Sequence, residues 1–488
     1  MLIDGIEQYQ TTVMTENGAL TYSSSLSHVV DLFGMGAAMR TRADEEKISI
    51  FAKAFAEDRL LALKALFYIR DCRGGQGERE FFRVCFRWLA KNYPSIAINN
   101  MSNVIKFGRY DDLFVLRRTP IQDQMVMFVR ATWKRDVENY KNGKPVSLLA
   151  KWMPSENASS KETISMARWF GKKLKLSKRN YRKTLSILRK HIDVVEVKMS
   201  KNAWKSINYG KVPSHASKIY NAAFRKHDPV GYDDYIYQVV MGNDKINAKT
   251  LYPYDLLHHY LQRGWGSFFD STINHTIEMQ WKSLPDYFAG RDENSLCIVD
   301  TSGSMHGTPI CVAVSLGIYA AERNKGLFHN CFMTFSKKPA LQRIVGDSLL
   351  EKAMSLSSAH WDMNTDLEVA LRVILGVAKN NHLPESEMIK KLYIISDMEF
   401  DRCVTGGTLF EGISKMYKKA GYKLPDIIFW NVNSKRNNLP VRFNQSGVAL
   451  VSGFSPSIFE TVAGAQIKSP ADIMLKTLNK ERYNSVVV

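Results

Sequence analysis

Apolar and polar positions follow one rhythm up to about residue 283 and another beyond it. Helical signals begin near Asp44, and the stretch I-S-I-F-A-K-A-F-A-E-D-R-L-L-A-L-K-A-L-F-Y-I-R-D (48–71) repeats its apolar residues at helical spacing, with charges between them. One long helix or two in succession fits, ending before Arg73-Gly74-Gly75. A second helix is expected from about Glu78 to Asn92, and Pro94 opens another. Helical segments then follow over 94–107, 110–117, 121–141, 145–152, 161–171, 177–193, 196–207, 212–227, 231–241, 253–263 and 267–283, broken by Gly, Pro or Asn. So many short amphipathic helices predict an α-helical, HEAT-like repeat domain in which each helix pair buries its apolar face on its neighbours. No repeat is visible in the residues themselves, so the array is expected to be irregular. Residues 1–40 are polar and read as an N-terminal arm, with a short hairpin expected around Asn17-Gly18.

The stretch S-L-P-D-Y-F-A-G-R-D-E-N (283–294) reads as a linker. After it, apolar runs alternate with helical stretches. Strands are expected at Leu296–Val299, 330–336, 391–397, 426–433 and 447–453, with helices at 309–323, 365–379, 409–420 and 470–480. Alternation of this kind predicts an α/β doubly wound parallel sheet. The organisation read from the chain is therefore multidomain: an arm (1–40), a helical-repeat domain (41–285) and an α/β domain (290–488).

The candidate chemistry begins where the first of these strands ends, in L-C-I-V-D-T-S-G-S-M-H-G (296–307). Asp300, Ser302 and Ser304 fall on a tight loop at the carboxyl end of a strand, where open α/β sheets place their ligands. Thr308 and Pro309 read as the cap and first turn of the next helix. Thr365 opens a helix after a polar loop, and Asp397 ends the strand I-I-S-D, so both belong at the same edge. Two carboxylates and three hydroxyls suit a hard divalent cation, with Mg²⁺ favoured and Ca²⁺ or Mn²⁺ also able to fit. An open coordination position would accept a carboxylate or phosphate from a partner. No nucleophile elbow, H-E-x-x-H pair, or nuclease or deaminase signature is present, so a non-enzymatic protein is expected.

Charge changes the picture of the helical part. The chain of 488 residues has a formal net charge of +19. Between Lys134 and Lys226 there are 23 Lys and Arg against six Asp and Glu, a local excess of +17. A positive field concentrated in one stretch is the footprint of a polyanion partner, and nucleic acid is the commonest. The candidate contacts are Lys172, Lys173, Lys175, Lys178, Arg179, Arg182, Lys183, Arg189, Lys190, Lys198, Lys201, Lys205, Lys211 and Lys218. Lys198, Lys201 and Lys205 are expected on one helical face beside Trp204, while Tyr181 and Trp169 offer stacking planes for unpaired bases. The six cysteines form no C-x-x-C pair and read as reduced core residues of a cytoplasmic protein. No apolar run reaches the roughly 18 residues that a membrane span needs. Met1 to Met14, with Asp4 and Glu7, does not read as a secretory signal.

The series D-T-S-G-S-M, N-T-D and I-I-S-D-M resembles the metal-ion-dependent adhesion site of von Willebrand factor A domains, over about residues 290–488. That resemblance implies that Asp300, Ser302, Ser304, Thr365 and Asp397 hold a metal that bridges to a partner without catalysis. L-L-A-K-W-M-P-S (148–155), Y-R-K-T-L-S-I-L-R-K (181–190), V-V-E-V-K-M-S (194–200) and K-I-N-A-K-T-L-Y-P-Y-D-L (245–256) resemble a largely uncharacterised plant, fungal and viral family, domain of unknown function 2828. The architecture is similar to that of the Ro (TROVE) ribonucleoprotein autoantigen, whose helical repeats form a ring. This implies a ring-shaped helical domain that holds single-stranded RNA ends or small structured RNA. The competing expectation is an assembly or scaffold module, virion-associated if viral, whose metal site grips an acidic protein partner. The location implied is the cytoplasm, or the host cytoplasm or virion for a viral protein.

Overall fold

The structure is a computed structural model that describes residues 10–264, 267–268, 272–291, 294–334, 339–357, 366–402 and 408–488. Contacts along the chain group it into two compact units, Met1–Phe81 with Ala248–Asn484, and Phe82–Asn247 with Ser485–Val488. These units differ from the segments expected from the sequence, because the first helices and the last part of the helical stretch pack with the α/β sheet.

The unit around Phe82–Asn247 is helical. Its α-helices are Pro94–Asn99, Met101–Phe107, Gln122–Lys141, Leu149–Trp152, Lys161–Lys173, Lys178–His191, Val195–Ser200, Ser214–His227 and Pro229–Val240, and most of Glu80–Asn92 belongs to it. The breaks have local causes. Pro94 and Pro229 begin helices, and Gly143, Lys175, Asp193 and Asn202 stop them in left-handed conformations. Aromatic pairs fill the interior. Trp133 stacks on Tyr181 with ring centroids 5.7 Å apart, and Tyr209, Phe224, Tyr232 and Tyr235 form one buried cluster.

The other unit holds a two-stranded hairpin, β1 (Thr12–Met14) with β2 (Leu20–Tyr22), turning at Gly18 with φ +82°. The Asn17-Gly18 turn expected from the sequence is therefore present. The stretch from Asp44 resolves into two helices, Asp44–Glu57 and Arg59–Arg70, because Asp58 takes an extended conformation and caps the second. Cys72 to Gly75 form the turn that follows. A short antiparallel pair, β3 (Leu261–Gly264) with β4 (Ser267–Phe268), takes the end of the helix expected over 253–263 and the start of that expected over 267–283, and the helices shorten to Pro253–Tyr260 and His275–Lys282.

The main sheet has six strands: β5 (Ser295–Val299), β6 (Cys331–Thr334), β7 (Leu341–Arg343), β8 (Lys391–Ser396), β9 (Asp426–Asn431) and β10 (Val448–Ser452). Their order is β10-β9-β8-β5-β6-β7. All neighbours are parallel except β6 and β7. The sheet is thus mixed, where an all-parallel one was expected. The three-residue edge strand β7 pairs antiparallel with β6, and it is too short and too exposed to show an apolar run. The other five strands are buried along nearly their whole length, as a sheet covered on both faces requires. Helices at Thr308–Arg323, Leu367–Asn380, Leu409–Lys419 and Pro470–Leu478 match the expected positions, and Leu349–Ser357 is a further one. Thr308 is the first helical residue and Gly307, at φ +88°, is the cap.

Two stretches read as peripheral are core. The helix His28–Met35 lies against β10, where the Ser452 hydroxyl donates to the Phe33 carbonyl at 2.9 Å. A Cβ at Gly34 would sit 3.2 Å from the Leu450 Cβ, so glycine allows that approach. Val29, Val30, Leu32, Phe33 and Met35 are apolar all round this short helix, a buried pattern hidden by its polar flanks. Likewise Phe288 in the expected linker is buried, its ring 4.7 Å from Phe459.

Candidate metal centre and nucleic-acid surface

β5 leads to β6 on one side of the sheet, and the chain then crosses to β8 on the other side. The carboxyl ends of β5 and β8 therefore flank the topological switch point, the crevice in which such sheets bind ligands. Asp300 follows the last residue of β5 and Asp397 follows the last residue of β8. The Asp300 amide donates to the Ile395 carbonyl at 2.9 Å, which fixes the two strand ends together.

Each acidic side chain is held in place. Asp300 is fully buried. One of its oxygens accepts the Ser302 amide at 2.9 Å and the other accepts the Ser396 hydroxyl at 2.6 Å. The Ser302 and Ser304 hydroxyls lie 3.0 Å apart. Asp397 is 2% exposed, and its Oδ2 is buried without a hydrogen-bond partner. The chain turns immediately after it, with Met398 at φ +68°, a strained conformation for a residue with a Cβ. Burial, and then the neighbouring Asp397 charge, push the Asp300 carboxyl above its ordinary range. Burial also raises Asp397, opposed by the Ser304 hydroxyl, the Glu399 amide and the Lys435 ammonium.

Two buried carboxylates side by side repel one another unless a cation or a proton joins them. The donor set is all oxygen, and one buried carboxylate oxygen, Asp397 Oδ2, accepts no hydrogen bond. These residues fit a hard divalent ion. Asp300, Ser302, Ser304 and Asp397 are brought together as expected from the sequence, whereas Thr365 lies outside the described residues. No three His, Cys, Asp or Glu side chains gather as a metal-binding group among the described residues, so any ion here would depend on the hydroxyls.

Two residues at this site were not foreseen. Ser396 orients Asp300. Lys435, on the loop after β9, donates to the Ser304 carbonyl at 2.6 Å and lies 3.7 Å from Asp397 Oδ2. Nothing local in N-S-K-R-N-N marks Lys435, because only the sheet order brings β9 beside β8. The N-terminal hairpin braces the same region. The Glu16 amide donates to Glu399 Oε2 and the Asn17 side chain to the Glu399 carbonyl, each at 2.7 Å. On the other oxygen of Glu399, Asn438 from the Lys435 loop donates at 2.7 Å.

The cations of the helical unit divide into two groups. Lys172, Lys175, Lys178, Arg179, Arg182, Lys183, Lys190, Lys201, Lys205 and Lys211 are exposed. Lys173 pairs with Asp123 at 3.2 Å, and Lys198 holds Asp193 at 2.9 Å and the Ser206 carbonyl at 3.1 Å. Lys218 is partly buried. Arg189 is committed to the fold. Its guanidinium donates to the Ala150 carbonyl at 2.9 Å and to the Met153 carbonyl and Ser155 hydroxyl, each at 2.7 Å. Tyr181 is fully buried and donates to the Pro154 carbonyl at 2.8 Å, so its ring is not a platform for a base. Lys198, Lys201 and Lys205 do not share a helix, because the helix ends at Ser200, Asn202 turns left-handed, and Trp204–Ser206 starts a separate 3-10 turn. The dense run from Lys172 to Lys183 is also split, between the last turn of one helix and the first turns of the next, which Ser177 caps.

A largely helical region joined to a mixed α/β sheet with two buried carboxylates and two serine hydroxyls at its switch point defines the class. The comparisons agree with that division. Residues 15–127 and 162–289 match the family described as Domain of unknown function (DUF2828). Residues 294–482 match Domain of unknown function (DUF7788). The chain belongs to the same family as "Uncharacterized protein L728" of Acanthamoeba polyphaga mimivirus, to which it is 30% identical over 97% of this chain and 88% of that one. Among solved structures it is similar to the RO (RSR) protein of Deinococcus radiodurans, at 13% identity and 92% coverage of both chains. The TM-score of 0.35 is too low for that likeness to carry an argument. No helix among the described residues is long and apolar enough to cross a membrane.

Proposed function

We propose that this is an RNA-binding, Ro-like protein, a binder and not an enzyme, with RNA held on the helical unit and a divalent ion held in the α/β unit. The observation that carries the RNA reading is the set of ten exposed cations between Lys172 and Lys211. Lys178 and Arg179 open a 14-residue helix whose first turn contains no acid, so the helix dipole and two cations act in the same direction. An anion supplied from outside is the natural counter-charge.

The α/β unit is read as a von Willebrand factor A domain. Its strand order, its buried Asp300–Asp397 pair and its Ser302 and Ser304 hydroxyls support that reading. Asp300, Ser302, Ser304 and Asp397 would hold Mg²⁺, and the ion would supply an open coordination position for a partner's acidic group. A second reading, an assembly module that grips an acidic protein, is favoured by Lys435, which adds a positive charge at the rim of the site.

One experiment separates the two. The protein is crosslinked in cells, purified through a nuclease challenge with and without EDTA, and its RNA is sequenced. Defined protected RNA that survives EDTA supports the RNA reading. A stoichiometric protein lost in EDTA, with no protected RNA, overturns it in favour of the second.

A further inference from the structure

The helix Lys161–Lys173 begins at Ser160, whose hydroxyl accepts the Thr163 amide. It buries Ala167, Phe170 and Gly171. On the opposite side, Lys161, Ser165, Arg168 and Lys172 recur at intervals of three and four and so share one exposed face. Trp169 lies at the edge of this face, only partly buried. Arg117, at the end of the turn Tyr110–Leu116, brings its guanidinium 5.1 Å from the Trp169 ring centroid. Together these residues line an open cavity of about 620 Å³ with four cations and no acid. That volume lies within the ~300–1,000 Å³ range of small-molecule sites.

Two other arginines of the same unit, Arg83 and Arg109, are neutralised. Arg83 holds Asp111 and Asp112, each at 2.8 Å, and Arg109 holds Asp111 at 2.8 Å. Arg117, Lys161, Arg168 and Lys172 make no ion pair among the described residues. Packing accounts for Phe170, which meets Phe114 at 4.7 Å; Trp169 meets Phe170 edge-on at 4.9 Å and has the Lys173 ammonium 5.8 Å from its ring centroid, yet it stays only partly buried beside the basic cavity. A flat aromatic surface beside unpaired cations is the chemistry of a base-and-phosphate subsite. An isolated phosphate, as on a phosphopeptide, would use the cations and leave the indole idle.

We infer that this cavity is a nucleotide subsite. One unpaired base of a single-stranded RNA stacks against Trp169 and the Arg117 guanidinium, and Arg168 and Lys172 take its flanking phosphates. The inference rests on the RNA-binding reading above and deepens it, by assigning contact with a base to one place on a surface otherwise set by charge.

The test is fluorescence anisotropy of labelled 12-nucleotide oligo(U) and oligo(A) with the full chain and its W169A, W169F and R168E/K172E variants. Near-ultraviolet circular dichroism and melting curves serve as controls for folding. W169A is expected to weaken binding at least about fivefold, the lower end of the loss for one stacked base. Its dependence on salt should stay unchanged, because no charge is removed. W169F should recover most of the affinity, and R168E/K172E should weaken binding and flatten the salt dependence. If W169A unfolds, a 4-thiouridine crosslink to the peptide carrying Trp169 in the wild-type protein decides, and a crosslink only elsewhere overturns the inference. Wild-type binding with W169A and W169F both unaltered overturns this inference alone. Absence of wild-type RNA binding overturns both it and the RNA reading. Tighter binding of a phosphoserine peptide than of either RNA assigns the cavity to a different partner and also overturns it.

Discussion

At the scale of single residues, the switch-point carboxylates make opposite predictions with and without metal. Asp300 and Asp397 are both raised, chiefly by burial. In the unfolded chain both titrate near 4. Between that pH and their folded values, the folded chain binds more protons than the unfolded one, so metal-free stability declines as pH rises through this window. Melting midpoints in EDTA should therefore fall from pH 5 to pH 8, and saturating Mg²⁺ should remove the decline. Asp300→Asn keeps an acceptor for the Ser302 amide and leaves the Ser396 hydroxyl free to turn and accept. It should raise the melting midpoint in EDTA at pH 8 and abolish the rise caused by Mg²⁺, which for the wild type at 100-fold excess over Kd is worth about 2.7 kcal/mol. A midpoint for Asp300→Asn that still climbs with Mg²⁺ would exclude Asp300 as a ligand. Lys435 tests the same site from the other side. Its ammonium lies 3.7 Å from Asp397 Oδ2, a position that opposes a divalent ion. Lys435→Ala should tighten Mg²⁺ binding several-fold by calorimetry while weakening capture of an acidic partner.

At the scale of elements, two neighbouring features of the Lys178–His191 helix separate structural cations from available ones. Arg189 satisfies two carbonyls and a hydroxyl around the end of the short helix Leu149–Trp152. Arg189→Met strips those acceptors of their donor and should cost about 1–3 kcal/mol in urea unfolding, with RNA affinity per folded molecule unchanged. Lys178→Glu with Arg179→Glu places acids at a helix start and should stabilise the helix by about 0.3–1 kcal/mol per residue. The same pair should reduce RNA affinity. If Arg189→Met lowered RNA affinity per folded molecule, or Lys178→Glu with Arg179→Glu left it unchanged, the division between the two groups of cations would be wrong. This division was not legible in the sequence, where Arg189 and Arg182 look alike. The helices were legible, because a 3.6-residue apolar period survives in the residues themselves. So were Asp300, Ser302 and Ser304, which are contiguous with the strand that presents them. Ser396 and Lys435 were not, since their roles arise from strand order. The His28–Met35 helix was missed because its eight residues are too few to show a period among polar flanks.

At the scale of the whole molecule, charge and metal should act separately. RNA held mainly through phosphate contacts loses affinity as salt rises, with a slope near −0.7 per contact for single strands. A single strand reaching about half of the ten exposed cations between Lys172 and Lys211 would give a slope of roughly −3 to −4. Reversing Lys172, Lys173, Lys178 and Arg179 to Glu should remove most binding at 150 mM salt. Of these four, only Lys173 has an ion pair to lose, at 3.2 Å to the exposed Asp123, so the reversal should leave the melting midpoint within a few degrees of the wild type. Asp300→Ala, in the α/β unit, should leave both the affinity and the slope as they are. Anisotropy titrations from 50 to 300 mM salt give all three readouts. A flat salt dependence for the wild-type chain would remove the electrostatic basis of RNA binding. A wild-type slope that collapses in Asp300→Ala would mean instead that the ion takes part in holding RNA, and the two functions would then have to be assigned to one site.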